Sequence, residues 1–340
     1  MRPATAPRST GTRAAQARLA LVRWFDSWAG DEEEFEASPR GAHGAADAPP
    51  AARSVGAAAR PSVDWLRLLP FLALHAACLA VPFVGVSPFA VGFALAAYGV
   101  RMFAITAFYH RYFSHRAFKT SRPMQFLFAL LAGTAVQRGP LWWAAHHREH
   151  HRNADTEADP HSPARRGFWW SHVGWFTARE HFRTKLAAVR DLARYPELCF
   201  LDRFDVLVPL CAAAATFGVG EALARFAPGL GTDGLQLLLW GILSTVVLFH
   251  ATFTINSLAH VIGERRFETR DTSRNNRWLA LLTLGEGWHN NHHHYPASAR
   301  QGFVRGEFDP AYWGLVLLRA AGLVWDLKPV PAAVLARRRA

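Results

Sequence analysis

Seventeen histidines stand out in this 340-residue chain, and eleven of them fall into four short clusters. These are His110 and His115; His146, His147, His150 and His151; His260; and His289, His292, His293 and His294. A neutral imidazole is a ready metal ligand. In His147-Arg-Glu-His150-His151 the spacing i, i+3, i+4 places three imidazoles on one helical face, and His289-Asn-Asn-His292-His293 repeats it. Asn256 and His260 are four apart and share a face as well. His110 and His115 are five apart, which no α-helical face unites, so they are expected to straddle a helix end. One HxxHH alone is a weak metal signal. Two of them, with HxxxxH and NxxxH on the same side of a membrane, argue against a merely solvated face. Nine imidazoles suit two metals with four or five ligands each. A structural zinc needs only four ligands and usually takes thiolate, whereas the three cysteines here show no CxxC spacing. Bare affinity favours copper or zinc, so iron has to be argued from the chemistry. A carboxylate di-iron site would need two Glu-x-x-His elements and two further Glu. Glu286-Gly-Trp-His289 is one such element; Glu149 lacks its histidine. That reading fails on count.

The elements that must position these clusters are membrane helices. Hydrophobic residues make up 51% of the chain and charged residues 19%, below the roughly 25% of soluble domains. Four apolar stretches are long enough to cross a bilayer, at about 65–86, 88–108, 206–226 and 235–255. The turns within each pair carry no Lys or Arg, while the middle segment 111–203 and the region after His260 are Arg-rich. Positive charge stays inside, so both termini and the middle segment are expected in the cytoplasm. The second and fourth spans then end on that side, and all four histidine clusters can converge there. The net charge of +12 is read as contact with an anionic membrane, not with nucleic acid. The segment 126–143 is interrupted by Gln137-Arg138-Gly139-Pro140 and is read as interfacial or half-inserted. Residues 1–60 are read as a mostly disordered arm with an amphipathic piece near Leu19–Trp28, 61–310 as the membrane domain and 311–340 as a cytoplasmic tail.

The order of motifs resembles a known family. His110-Arg-Tyr-Phe-Ser-His115-Arg116, then HREHH followed by Ala158-Asp159-Pro160-His161, the run 165–175 (RRGFWWSHVGW), Asn256-Ser-Leu-Ala-His260, and Gly285-Glu-Gly-Trp-His289-Asn-Asn-His292-His293 are similar to integral-membrane acyl-CoA desaturases of the stearoyl-CoA delta-9 type. The resemblance covers about 65–296. It implies an all-α fold of four transmembrane helices with a cytoplasmic helical cap carrying a histidine-rich di-iron site. It implies nine ligands, His110, His115, His147, His150, His151, His260, His289, His292 and His293, with Asn256 acting through water. It also implies Gln137, Trp143 and Thr252 near the bend of an acyl tunnel. The activity implied is O2-dependent insertion of a cis double bond, at position 9, into a saturated chain carried on CoA or another acyl carrier. No His-Pro-Gly-Gly haem signature occurs, so electrons are expected from a separate donor of ferredoxin or cytochrome b5 type with its reductase. Animal members place Arg-Asp just before HxxHH; this chain has Ala145-His146. The stretch 137–143 (QRGPLWW) looks like the bacterial branch, which implies an inner-membrane location.

Other residues carry weaker expectations. His75 and His250 lie within spans and are read first as neutral imidazoles bonded to a neighbouring helix. His161 is expected to orient a ligand from behind. Arg148, Arg152, Arg165, Arg166, Arg265 and Arg266 form a basic face expected to steer an acidic donor. Two rivals stand beside the desaturase. One is an alkane hydroxylase or acyl-lipid desaturase using the same machinery. The other is a metal transporter, which would need ligands near the bilayer midplane.

Overall fold

The computed structural model describes residues 13–29 and 62–336. Among them, four helical stretches are long and apolar enough to cross a membrane: Trp65–Phe83, Pro88–Ser114, Leu207–Phe226 and Gly234–His260. Only 6% of the apolar window in Leu207–Phe226 and 11% of that in Trp65–Phe83 are covered by protein, against 44% in Gly234–His260. Apolar helices left so bare need a hydrocarbon solvent. The molecule is an all-α integral membrane protein.

Helix α1 is Arg13–Val22 and α2 is Trp65–Ala77, extended by a tighter turn to Phe83. α3, Pro88–Phe103, starts with the Ser87 hydroxyl accepting from the Ala90 amide, and continues as a π-helix over Ala104–Ser114. α4 (Arg122–Gly133) and α5 (Pro140–Asn153) follow, separated where Gln137-Arg138-Gly139 breaks the pattern. α6 is Pro196–Arg203, α7 Leu207–Phe226 and α8 Gly234–Asn256, the last capped by Asp233. α8 is the central post, packing against α2, α3 and α7. α9 (Arg277–Leu282), α10 (His289–His294) and α11 (Pro310–Ala320) complete the cap with short turns.

Both ends of the chain depart from expectation. Residues 23–29 dock on the body: Asp26 pairs with Arg203 at 2.7 Å, Ser27 Oγ donates to Asp205 at 2.9 Å, and Trp28 Nε1 donates to Asp202 at 3.0 Å. The rest of the arm, 1–12 and 30–61, lies outside the described residues. Residues 310–328 are not a tail. Arg111 holds Asp309, the cap of α11, at 2.8 Å, and Val324–Trp325 pairs with Lys119–Thr120 as a two-stranded ribbon. The reason is electrostatic: a fully buried guanidinium between spans and cap needs a carboxylate.

Candidate metal centre

The π-helix explains the spacing of five. Its hydrogen bonds run from residue i+5 back to i, and the His115 amide donates to the His110 carbonyl at 3.2 Å. His110 and His115 therefore become neighbours, with ring centroids 4.9 Å apart. They straddle the helix end, as expected, with His115 at the cap. α5 carries His147, His150 and His151 on one face. In α10 the two asparagines take the opposite face. Asn290 accepts from the Phe267 amide, and Asn291 donates to Glu307 and to the Gln301 carbonyl. These bonds turn His289, His292 and His293 inward. Gly287 permits the approach of this loop to α9, because a Cβ there would meet the Ala280 backbone.

All nine histidines converge, in two groups. His110, His115, His147, His151 and His292 form one, and His150, His260, His289 and His293 the other; within each, the candidate ligand atoms lie within 4.8 Å of one another. The facing atoms are Nε2: His110 and His292 at 3.0 Å, His115 and His147 at 2.8 Å, His151 and His292 at 2.9 Å, His260 and His289 at 3.1 Å, and His150 and His293 at 3.3 Å. Burial, reinforced by neighbouring imidazoles, holds His115, His147, His151, His289 and His292 well below the ordinary histidine pKa. Burial also takes His293 down to about 4, although Asp271 opposes it. Low basicity favours the neutral ring, and five or four candidate ligand atoms gathered within 4.8 Å of one another could hold a metal ion.

Carboxylates stand behind the rings. His150 Nδ1 meets Asp159 at 3.0 Å, His293 Nδ1 meets Asp271 at 2.9 Å, and His260 Nδ1 lies 3.5 Å from Asp155. His110 Nδ1 makes a close contact with Glu286. Such partners fix the ring so that Nε2 is free to bind. Burial works against ionisation of Asp159, but the charge and hydrogen bond of His150 outweigh it and hold the carboxyl low. Asp271 is likewise held low by His293 against its own burial. For His150 the burial effect is overcome by Asp159, and its pKa rises. Burial pushes Glu286 up to about 8, against the pull of Arg111. Sequence reasoning missed these four carboxylates as ring partners. Asp159 had a signal in Asp-Pro-His, but the outward partner of His150 is Asp159, while His161 stacks on the His150 ring at 4.3 Å.

A cavity opens beside the first group, lined by His147, His146, Asn256, Phe71, Trp175 and Phe249 among others. Gln137, Trp143 and Thr252 line it too: Gln137 Nε2 donates to Thr252 Oγ1 at 3.0 Å, and Trp143 Nε1 donates to Gln137 Oε1 at 3.4 Å. His75 and His250 stand apart from both groups. Their Nε2 atoms are 3.1 Å apart, and His250 Nδ1 is 3.1 Å from His172 Nε2. They bond between helices, as read from the sequence.

The fatty acid desaturase family model matches residues 87–302. The chain belongs to the fatty acid desaturase family. An sn-2 palmitoyl-lipid 9-desaturase of Nostoc sp. (strain 36) is 34% identical over 277 residues, 77% of this chain and 90% of the relative. An sn-1 stearoyl-lipid 9-desaturase of Anabaena variabilis is 32% identical, covering 81% and 97%. An acyl-CoA 5-desaturase of Anemone leveillei is 35% identical, covering 82% and 83%. This desaturase is thus a membrane oxidoreductase of lipid metabolism with histidine clusters able to hold metal.

The basic face is less free than its sequence suggests. Arg148 pairs with Asp191, Arg165 with Glu157, Arg166 with Glu180 and Arg266 with Glu307, while Arg265 donates to the Thr269 and Asp271 carbonyls. The last two arginines shape the loop that presents Asp271 to His293. Charge here serves the centre before it serves a partner.

Proposed function

We propose that the protein is a di-iron fatty acyl desaturase that forms a cis double bond at position 9 of a saturated chain. The convergence of nine Nε2 atoms in groups of five and four, beside a largely apolar cavity, is the observation that carries the reading. His110, His115, His147, His151 and His292 would hold one iron. His150, His260, His289 and His293 would hold the other, with Asn256 completing this smaller set through water. An iron pair held there would supply activation of O2 for removal of two hydrogens from adjacent unactivated methylenes. Overall, one O2, two electrons and two protons combine with those hydrogens to give two waters and the alkene. Phe71, Trp175 and Phe249 would exclude water from the chain. The Gln137–Thr252 hydrogen bond, with Trp143 against it, would bend the chain and set which carbons face the centre.

The carrier has two supported readings. Acyl-CoA is favoured by the Anemone relative. Acyl-lipid is favoured by the Nostoc and Anabaena relatives and by Ala145-His146: Ala145 is fully buried and offers no charge to a CoA head group. Electrons would come from a ferredoxin or cytochrome b5 type donor with its reductase. Both termini and the centre would face the cytoplasm of a bacterial inner membrane. In a cysteine-free background, Arg152→Cys and Arg270→Cys, both exposed positions, should react with impermeant thiol reagents only from the cytoplasmic side.

The deciding experiment is expression in a host without unsaturated fatty acids, followed by mass-spectrometric location of the double bond. A cis-9 alkene supports the reading, and a hydroxylated chain would replace it. Saturated lipid alone, with iron bound and donor present, would refute it.

A further inference from the structure

The cavity is a trough between helices. Its floor is α8, at Phe249, and its flanks come from α2, at Leu68, Phe71 and Leu74, and from the start of α7, at Val206 and Pro209. Both flanking helices pack on α8, and both are spans left almost bare of protein. Pro70 lines the cavity and is exposed on α2, so it stands on the rim where the trough meets lipid. The cap end of the trough is shut. Arg138 pairs with Asp205 at 2.6 Å and donates to the Phe182 carbonyl at 3.2 Å, while the Arg67 guanidinium lies 4.1 Å over the Phe182 ring, in the field of Asp205 and Asp64. A saturated chain would have to disrupt those ion pairs to enter from the cap, whereas apolar flanks let it pass at no polar cost. Residues 23–28 cross the same end. On the α2 side Trp24 lines the cavity, and its Nε1 donates to the Leu66 carbonyl at 2.9 Å. On the α6–α7 side Asp26 accepts from Arg203 at 2.7 Å, Ser27 Oγ donates to Asp205 at 2.9 Å, and the Ser27 amide donates to the Arg203 carbonyl at 2.8 Å. This segment therefore ties one flank to the other. Both it and α2 lie outside the family match at 87–302.

We propose that the trough is a lateral portal: the acyl chain enters the cavity from the bilayer between α2 and α7, and residues 23–28 are the strap that latches the two flanks. A chain can then reach the centre while its carrier stays in the leaflet, which suits a two-chain membrane lipid. Trp24 narrows the portal from the strap. The latching contacts are few and partly exposed, so one side can be released without unfolding a helix. The proposal rests on reading the cavity as the acyl site.

The test is photolabelling of the full-length protein in phosphatidylcholine nanodiscs, with no electron donor and hence no turnover. The probe is distearoyl-phosphatidylcholine with a mid-chain diazirine, delivered from donor vesicles. Light flashes at set times after mixing fix adducts, which are mapped by mass spectrometry. Adducts at Trp143 and Thr252 report a chain inside the cavity, and adducts at Leu95, exposed on α3, report lipid outside it. The lag between the two measures entry. Trp24→Phe releases the α2 side of the strap and Asp26→Asn weakens the other, and each should shorten the lag about fivefold. In a cysteine-free background, Pro70→Cys carrying a bulky maleimide should lose the cavity adducts. The same maleimide on Leu72→Cys, exposed elsewhere on α2, should leave them in place. Unmodified Pro70→Cys should label as the parent does, which shows that it folds. Cavity adducts that survive the block at Pro70 would overturn the portal and leave the acyl-site reading standing. An unchanged lag in both strap variants would overturn the strap. No cavity adduct in unblocked protein, with Leu95 labelled, would remove the acyl site itself and the portal with it.

Discussion

The two histidine groups do not have the same build. The five-membered group has one carboxylate behind it, Glu286 on His110. The four-membered group has three, Asp159, Asp155 and Asp271, each on a different ring. Fewer nitrogens are matched by more negative charge just outside them. A dication held only by neutral imidazoles leaves two charges in a buried site. With a metal bound, the smaller group would offset this through polarised rings, which are better donors. The larger group would rely on ligand number.

The sharpest way to break that comparison is to remove one imidazole from each group. His292→Ala leaves four rings in the larger group, whereas His150→Ala leaves three in the smaller. Both should abolish turnover, by about 10³-fold or more, because the centre works as a unit. The iron content should separate them. His150→Ala should fall from two irons per chain towards one, and His292→Ala should retain more. Near-normal turnover in either variant would remove that histidine from the ligand set. Equal iron content in both would erase the distinction between the groups.

A smaller effect comes from the outer carboxylates. Asp271→Asn keeps the shape but takes the charge from behind His293. A loss of about 10–100-fold in iron affinity is expected, confined to the smaller group. A competitive chelator titration would then become biphasic, with one iron leaving early. A single shared midpoint for both irons would mean that the carboxylates orient the loop and do not tune the metal.

Much of this centre was legible in the sequence, and the reasons are physical. Histidine is scarce, and i, i+3, i+4 spacing states a helical face outright, so His147, His150, His151, His289, His292 and His293 could be grouped before any coordinates. His110 and His115 resisted because five residues fit only a π-helix, which has no composition signal. Asp155, Asp159 and Asp271 looked like ordinary loop residues, since the rings they face, His260, His150 and His293, are 105, 9 and 22 positions away. The spans were plain from apolar length. The docking of Trp28 on Asp202 was not, because a single indole–carboxylate bond leaves no periodic trace.

Asp202 extends the comparison from the metal groups to the helix that serves both. Its Oδ1 accepts from the Leu141 and Trp142 amides at the start of α5, and its Oδ2 accepts from Thr184 Oγ1 and Trp28 Nε1. Burial raises its pKa, while those donors oppose the rise. A raised carboxyl pKa means that protonation costs the folded state less than the unfolded one. Its contribution is therefore greatest at low pH and declines as pH rises through the folded value. Asp202→Asn turns one acceptor into a donor facing two donors. A loss of about 1–3 kcal/mol is expected, read as a lower thermal midpoint with both irons lost together. Selective loss from one group would show that α5 is not their common support.

The smallest effect concerns the electron donor. Arg148, Arg165, Arg166 and Arg266 are paired with carboxylates, so their fields are partly cancelled before a partner arrives. Arg152 is exposed and, among the described residues, donates only to the Arg148 carbonyl of its own helix. An acidic donor would be steered by this residual charge, and salt would screen it. With limiting donor, turnover should fall only a few-fold between low and physiological ionic strength, and Arg152→Glu should raise the donor concentration required at unchanged iron content. Charge reversal at Arg265 or Arg266 should behave differently. Their loop carries Asp271, so it should deplete iron from the four-membered group, and added donor should not restore the rate. If extra donor does restore it, those two arginines belong to the docking face after all.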